Sequence, residues 1–282
     1  MPYVNCKEMI LKAQKEKYAV PAFNAENLEM AQAIVSAAVE ENSPVIIQTT
    51  KPTAAYLGME EMAAIVSALA KKAPIPVALH LDHADKFDII MQAIKAGYTS
   101  VMVDGSALPL KENIAISAKV AEIAREMDIS TEGELGRIGG KEDDVNVKNA
   151  AYVVPSEAKE FAEKTGVDFF AVAIGTAHGF YKGEPHLAFD VLAEVAKLVS
   201  TPLVLHGGSG IEEAKIKKAI SLGMSKVNFA TELRDNFTKS VREALKDETI
   251  IDPKKYLGVA RAGLKSFCIQ KIRMCGSSNK AN

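Results

Sequence analysis

The stretch Pro202-Leu203-Val204-Leu205-His206-Gly207-Gly208-Ser209-Gly210-Ile211 sets the pattern of the whole chain: a short apolar run, a polar residue, a glycine-rich loop, then a helical period. Working outward, apolar runs bounded by turn signals recur at residues 18–23, 44–49, 76–81, 100–104, 129–135, 168–174, 202–206 and 225–229. They are nearly continuous rather than alternating, as in strands buried on both faces. Amphipathic helical stripes separate them, over 27–41, 59–71, 87–95, 110–126, 156–164, 188–198, 212–221 and 232–246. Three of these stripes end in Ala96-Gly97-Tyr98, Thr165-Gly166-Val167 and Leu222-Gly223-Met224, where glycine suits the left-handed terminal position. Eight strand–helix units in 282 residues predict an α/β fold, a closed (β/α)8 TIM barrel over residues 1–282 as one domain, in preference to an open doubly wound sheet. Extra helices are expected at 4–16 and 254–273, towards the N- and C-terminal ends.

Composition narrows the partners. With 48% hydrophobic and 25% charged residues and a formal charge of -2, the chain reads as an ordinary globular protein; this rules out a polyanion binder driven by bulk charge but not a local basic patch, and no nucleic-acid partner is expected. Cys6, Cys268 and Cys275 form no CxxC pair, which argues for a reducing compartment and against a disulfide scaffold or zinc knuckle. The opening Met-Pro-Tyr-Val-Asn-Cys-Lys-Glu lacks the apolar core of a signal peptide, and no stretch nears the roughly 20 apolar residues of a membrane span. A cytoplasmic protein without a membrane partner is expected.

In a parallel barrel the C-terminal strand ends form the active face. Polar residues collect there: Asn24, Thr50, Asp82, His83, Asp104, Glu132, Glu134, His178, His206 and Asn228. One histidine at a strand end is usually a hydrogen-bonded structural residue, and His80 and His186 are read that way. Three, His83, His178 and His206, suit a metal with one open position. Asp82, beside His83, suits a general acid/base. Asn24 and Thr50 are candidate substrate contacts. The loop after His206 and the run Asn228-Phe229-Ala230-Thr231 each lead into a helix, the usual phosphate position of this fold, although a lone glycine-rich loop is also an ordinary flexible turn. Gly139-Gly140 either hinges a lid that carries Glu142 over the site or opens a solvated loop that includes Asp143 and Asp144.

Pro76-Val77-Ala78-Leu79-His80-Leu81-Asp82-His83-Ala84 resembles the first signature of the class II, zinc-dependent ketose-bisphosphate aldolases. Thr131-Glu132-Gly133-Glu134-Leu135-Gly136-Arg137-Ile138-Gly139-Gly140-Lys141-Glu142 resembles the second, and the likeness extends to Cys275-Gly276-Ser277-Ser278-Asn279. The resemblance implies a homodimer or homotetramer with Zn2+ on His83, His178 and His206. It implies Asp82 as the acid/base at the aldehyde oxygen, Glu142 as a mobile-loop carboxylate, and Asp104 with Glu134 as an alternate or second metal position. Gly179, Gly207, Gly208, Ser209, Asn228, Phe229, Ala230 and Thr231 match the dihydroxyacetone phosphate site, with a monovalent cation (Na+ or K+) near Gly179 and Gly207. The implied reaction is reversible aldol cleavage of a ketose 1,6-bisphosphate to dihydroxyacetone phosphate and glyceraldehyde 3-phosphate through a metal-stabilised enediolate.

Ala230 and the Cys-Gly-Ser-Ser-Asn tail look most like the tagatose-bisphosphate branch, with fructose-directed enzymes next, and some tagatose-type members work beside a non-catalytic companion subunit. Two other readings compete: a metal-dependent sugar-phosphate epimerase on the same barrel, and a companion subunit that has lost its chemistry. The second should lack metal ligands, whereas all three histidines and Asp82 are present.

Overall fold

The computed structural model of the chain describes residues 2–142, 145–147, 150–181 and 183–281, with main chain only at 141, 142, 145 and 146. Asp143 and Asp144, read above as loop residues, lie outside the described residues, as does the side chain of Glu142. The strands are β1 (Val20–Asn24), β2 (Val45–Thr50), β3 (Val77–Ala84), β4 (Ser100–Val103), β5 (Ser130–Leu135), β6 (Gly139–Glu142), β7 (Val145–Val147), β8 (Phe169–Val172), β9 (Ala177–His178), β10 (Leu203–Leu205) and β11 (Met224–Phe229). The helices are α1 (Lys7–Glu16), α2 (Leu28–Glu40), α3 (Lys51–Leu57), α4 (Met59–Ala70), α5 (Phe87–Ala96), α6 (Leu110–Glu126), α7 (Pro155–Thr165), α8 (Phe189–Leu198), α9 (Glu213–Ser221), α10 (Thr231–Ala244) and α11 (Pro253–Met274).

Eight strands close a barrel in the order β1-β2-β3-β4-β5-β8-β10-β11, and β11 pairs parallel with β1. Each sequence-predicted run overlaps one of them. Their residues are buried throughout except for half-buried His83, which is why the runs carry no polar alternation. Asn27 caps α2 by accepting from the Met30 N–H, and the terminal glycines Gly97 and Gly166 are left-handed as expected.

Two features depart from the sequence reading. The short α3 follows β2 directly, with Pro52 in its first turn, and is too brief to leave an amphipathic stripe in the sequence. Gly139-Gly140 begins strand β6, a strand absent from the sequence reading, which pairs antiparallel with β7 and parallel with β9. Gly140 allows that approach: its φ is +93°, and a Cβ there would lie 2.2 Å from the His178 carbonyl oxygen.

The core has two parts. One lies between the strands and the surrounding helices, with Phe23, Leu79, Val101, Phe170 and Leu205 on the barrel's outer wall. The other fills the lower barrel: Val20, Ala22, Ile46, Ala78, Phe169, Ala171 and Val204 pack against Cys6, Met9, Ile10 and Ala13 of the α1 region. Helix α1 thus closes the end opposite the polar rim. Truncating the fully buried Ile10 to alanine removes part of that plug. It should cost about 2–5 kcal/mol in urea unfolding, and a cost under about 1 kcal/mol would show that α1 is not part of the barrel core.

Candidate active site

Neighbouring residues of a regular strand point to opposite faces, yet Asp82 and His83 both reach the barrel mouth. The main chain at His83 is left-handed, with φ +50°, and the β3–β4 register shifts between Leu81 and Ala84. This irregularity turns two consecutive side chains into one site. The imidazole planes of His83, His178 and His206 gather there, with ring centroids 4.8 Å apart for His83–His178 and 4.7 Å for His83–His206. One nitrogen from each lies within 4.8 Å of the others, and His83, Asp104 and Glu134 form a second such group.

The outer nitrogens are fixed by carboxylates. His83 Nδ1 lies 2.9 Å from Asp104 Oδ2, and His206 Nε2 lies 2.6 Å from Glu132 Oε1. With both outer N–H groups so donated, His83 Nε2 and His206 Nδ1 face each other at 3.0 Å with one cation or proton to share. Glu134 Oε2, buried and without a hydrogen-bond partner, sits 3.7 Å from the Nδ1 atoms of both rings. An orphaned carboxylate oxygen beside converging imidazoles is a donor set that fits a divalent metal.

Electrostatics point the same way. Burial first, then the charge of His83, holds His206 and His178 well below the ordinary imidazole range, so both are neutral and able to ligate. Burial, followed by the charge of Asp104, raises Glu134 well above the carboxylate range. Burial also acts to raise Asp104, but the hydrogen bond and charge of His83 outweigh it and hold this carboxyl low.

Asp82 is held by amides. Its Oδ2 accepts from Gln48 Nε2 at 2.9 Å and Asn24 Nδ2 at 3.2 Å, and Asn228 Nδ2 lies 3.4 Å from Oδ1. Gln48 also donates to Asn24 Oδ1, so Asn24 meets Asp82 directly. A cavity of about 370 Å³ opens beside this cluster, lined by Thr50, His83, Asp104, Glu134, Arg137 and His178 among others. A smaller one, adjoining it at His178, is lined by Gly179, Gly207, Ser209, Asn228, Ala230 and Thr231. Ser209 Oγ accepts there from the N–H groups of Ala230 and Glu232 at the start of α10.

Two expected substrate contacts are placed otherwise. The Phe229 ring is fully buried against Phe23, with centroids 5.8 Å apart, because it points out of the barrel wall. Gly208 spends its N–H on the Asn228 carbonyl. His80 matches its structural reading: it is fully buried, with Nδ1 2.8 Å from Ser100 Oγ. Sequence reasoning passed over Gln48 and Lys226 and gave Glu132 no role. The available signal was a charged or amide residue inside an otherwise apolar strand run.

The family model described as class II fructose-bisphosphate aldolase matches residues 4–280. The chain belongs to that family. The probable fructose-bisphosphate aldolase of Bacillus subtilis (strain 168) is 48% identical to it over 287 residues, covering all of both chains. The fructose-bisphosphate aldolase of Geobacillus stearothermophilus is 46% identical, covering 100% of this chain and 99% of that one. Among solved structures, the YdjI aldolase of Escherichia coli K12 superposes with a TM-score of 0.89 at 34% identity, over 99% and 100% of the two chains. The protein is therefore a class II aldolase, a lyase on a TIM barrel. No described helix is long and apolar enough to cross a membrane.

The buried histidines predict how the metal-free aldolase responds to acid. His80 and His206 are fully buried, and burial is the main force holding both low; partly exposed His178 shifts in the same direction. Unfolded histidines take up protons near pH 6.5. Unfolding therefore binds protons, and stability falls, as pH drops through that value. Glu134, shifted upward, opposes this, but as one group against at least two. The Tm of the apoprotein should fall steadily between about pH 7.5 and 5.5; a flat or rising profile would contradict neutral burial.

Proposed function

We propose that this aldolase cleaves a ketose 1,6-bisphosphate reversibly to dihydroxyacetone phosphate and glyceraldehyde 3-phosphate, with residues 1–282 acting as one catalytic domain. The observation that carries the reading is the meeting of His83, His178 and His206 with Asp82 on one rim of the barrel. These three histidines would hold Zn2+, with Asp104 and Glu134 as an alternate position. The chemistry Zn2+ supplies when bound is Lewis-acid polarisation of the ketose carbonyl.

The chain's own groups do the rest. Asp82 takes the proton of the C4 hydroxyl in cleavage and returns it to the aldehyde oxygen in condensation. The amides of Asn24, Gln48 and Asn228 keep its carboxylate aimed. Gly179, Gly207, Ser209, Ala230 and Thr231 receive the phosphate at the start of α10, anchoring one end of the substrate so that the reacting carbon is oriented. Thr50 lines the larger cavity, facing the rest of the sugar. Glu142, carried on β6, handles the dihydroxyacetone phosphate proton, a role that rests on its motif alone. A Na+ or K+ ion near Gly179 and Gly207, a homodimeric or homotetrameric assembly, and a cytoplasmic location belong to the same reading.

Fructose 1,6-bisphosphate is the leading substrate, because relatives 45–48% identical over the whole chain are named fructose-bisphosphate aldolases. Tagatose 1,6-bisphosphate is the second reading, and a companion subunit goes with it. It is favoured by Ala230, which offers no polar side chain at the end of β11. The two sugars differ at one hydroxyl, so one polar contact decides between them.

Triose-phosphate release from both sugars, with chelator and then with zinc restored, tests the assignment. Cleavage should be lost and regained, and the ratio of kcat/KM values identifies the sugar. Interconversion of ketose monophosphates without triose release would point to an epimerase instead. His206→Ala should abolish metal binding and cleavage together; retained zinc with full activity would remove it from the ligand set. Asp82→Ala should keep zinc and slow cleavage about 10²- to 10⁴-fold; unchanged turnover per bound zinc would reduce Asp82 to a support.

A further inference from the structure

Lys226 is a fully buried lysine inside the barrel, on β11 two residues before Asn228. Its Nζ donates in two directions, to Glu132 Oε2 at 2.7 Å and to Asn228 Oδ1 at 2.8 Å. Glu132 carries one branch onward: its other oxygen lies 2.6 Å from His206 Nε2. Asn228 carries the second, with Nδ2 3.4 Å from Asp82 Oδ1.

Both branches depend on lysine being a pure donor. Because Lys226 occupies the Asn228 oxygen, the amide must turn its NH2 group towards Asp82; reversed, it would set an oxygen against a carboxylate. Because Lys226 pairs with Oε2 of Glu132, the remaining Oε1 is left as the acceptor for His206 Nε2–H. That tautomer leaves the Nδ1 lone pair directed at His83 and Glu134. A buried ion pair is poor evidence of stabilisation, since apolar residues of similar volume usually serve as well. Val204, Ala171 and Ile46 fill the lower barrel without one. What the pair supplies is direction.

We propose that Lys226 is a positioning residue that sets both halves of the site at once, fixing the ligating face of His206 through Glu132 and the donor face of Asn228 through its amide oxygen. The inference rests on the reading of His206 as a metal ligand and Asp82 as the acid/base.

The test uses the purified full chain with Co2+ as probe, reading affinity by chelator competition and geometry by the visible absorption bands. Lys226→Met alone would strand the Glu132 charge and risk misfolding, so the main variant is Lys226→Met/Glu132→Gln. Its Co2+ affinity should weaken about 10- to 100-fold with altered bands. Its kcat at saturating metal should fall. Glu132→Gln keeps the lysine and guards against a folding failure. Its amide NH2 meets His206 Nε2 as a donor and forces the other tautomer, so Co2+ affinity should drop by a similar factor, with a smaller loss of kcat because Asn228 is still held. Unchanged Co2+ affinity and bands in either folded variant would overturn the proposal. The Co2+ measurement needs no turnover, so a parent protein that binds Co2+ but cleaves no bisphosphate would sink the functional reading and leave this one standing.

Discussion

The site depends on one local violation of strand geometry. Regular pleating would send Asp82 into the barrel and His83 out against the helices, or the reverse. The left-handed turn at His83, with the slipped β3–β4 register, brings both to the mouth. Such a conformation costs of order 1–3 kcal/mol for a residue with a Cβ. Here the His83 N–H lies 3.3 Å from Met102 Sδ and its ring is held by Asp104. Without that turn the carboxylate and the imidazole would lie on different sides of the wall, and no arrangement of the other histidines would bring them together.

Beneath this rim the barrel interior is built in layers, and their order explains the polar residues. The lowest layer is apolar and plugged by α1. Above it His80, Ser100, Glu132 and Lys226 form a fully buried polar layer whose contacts are mostly to one another. The site lies on top. A mobile support could not hold two rings 3.0 Å apart nitrogen to nitrogen. The middle layer turns the rigidity of the packed floor into fixed directions for the groups above it.

The barrel was legible because strands buried on both faces leave continuous apolar runs, and helix-length stripes separate them. The three histidines were legible by position at strand ends, and the two long motifs gave the family. What escaped had weaker signals. The β6–β7–β9 sheet is made of segments of two to four residues, too short to leave a pattern, with the β6–β9 pairing non-local, and α3 is seven residues long. Lys226 lies mid-strand in Ser225-Lys226-Val227, where a charge inside a buried run reads as an exception to the pattern rather than part of the site. Phe229 went the other way: its neighbours in the motif face the site, but strand alternation turns its ring outward against Phe23. A motif names a segment, and only the pleat says which of its members look inward.

Charge balance gives a physical reason why a divalent cation would suit this cluster, as proposed above. Asp82, Asp104, Glu132 and Glu134 crowd one end of the barrel, and Lys226 answers only Glu132 directly. A sugar bisphosphate entering that end brings more negative charge into a region of low dielectric. Part of the deficit is relieved within the protein, since burial and Asp104 push Glu134 towards its neutral acid. The histidines add little positive charge of their own, because burial holds His178 and His206 neutral. The arrangement becomes attractive to an anion when a divalent cation occupies the imidazole cluster. The same neutrality that denies these histidines a charge leaves their lone pairs available to bind that cation.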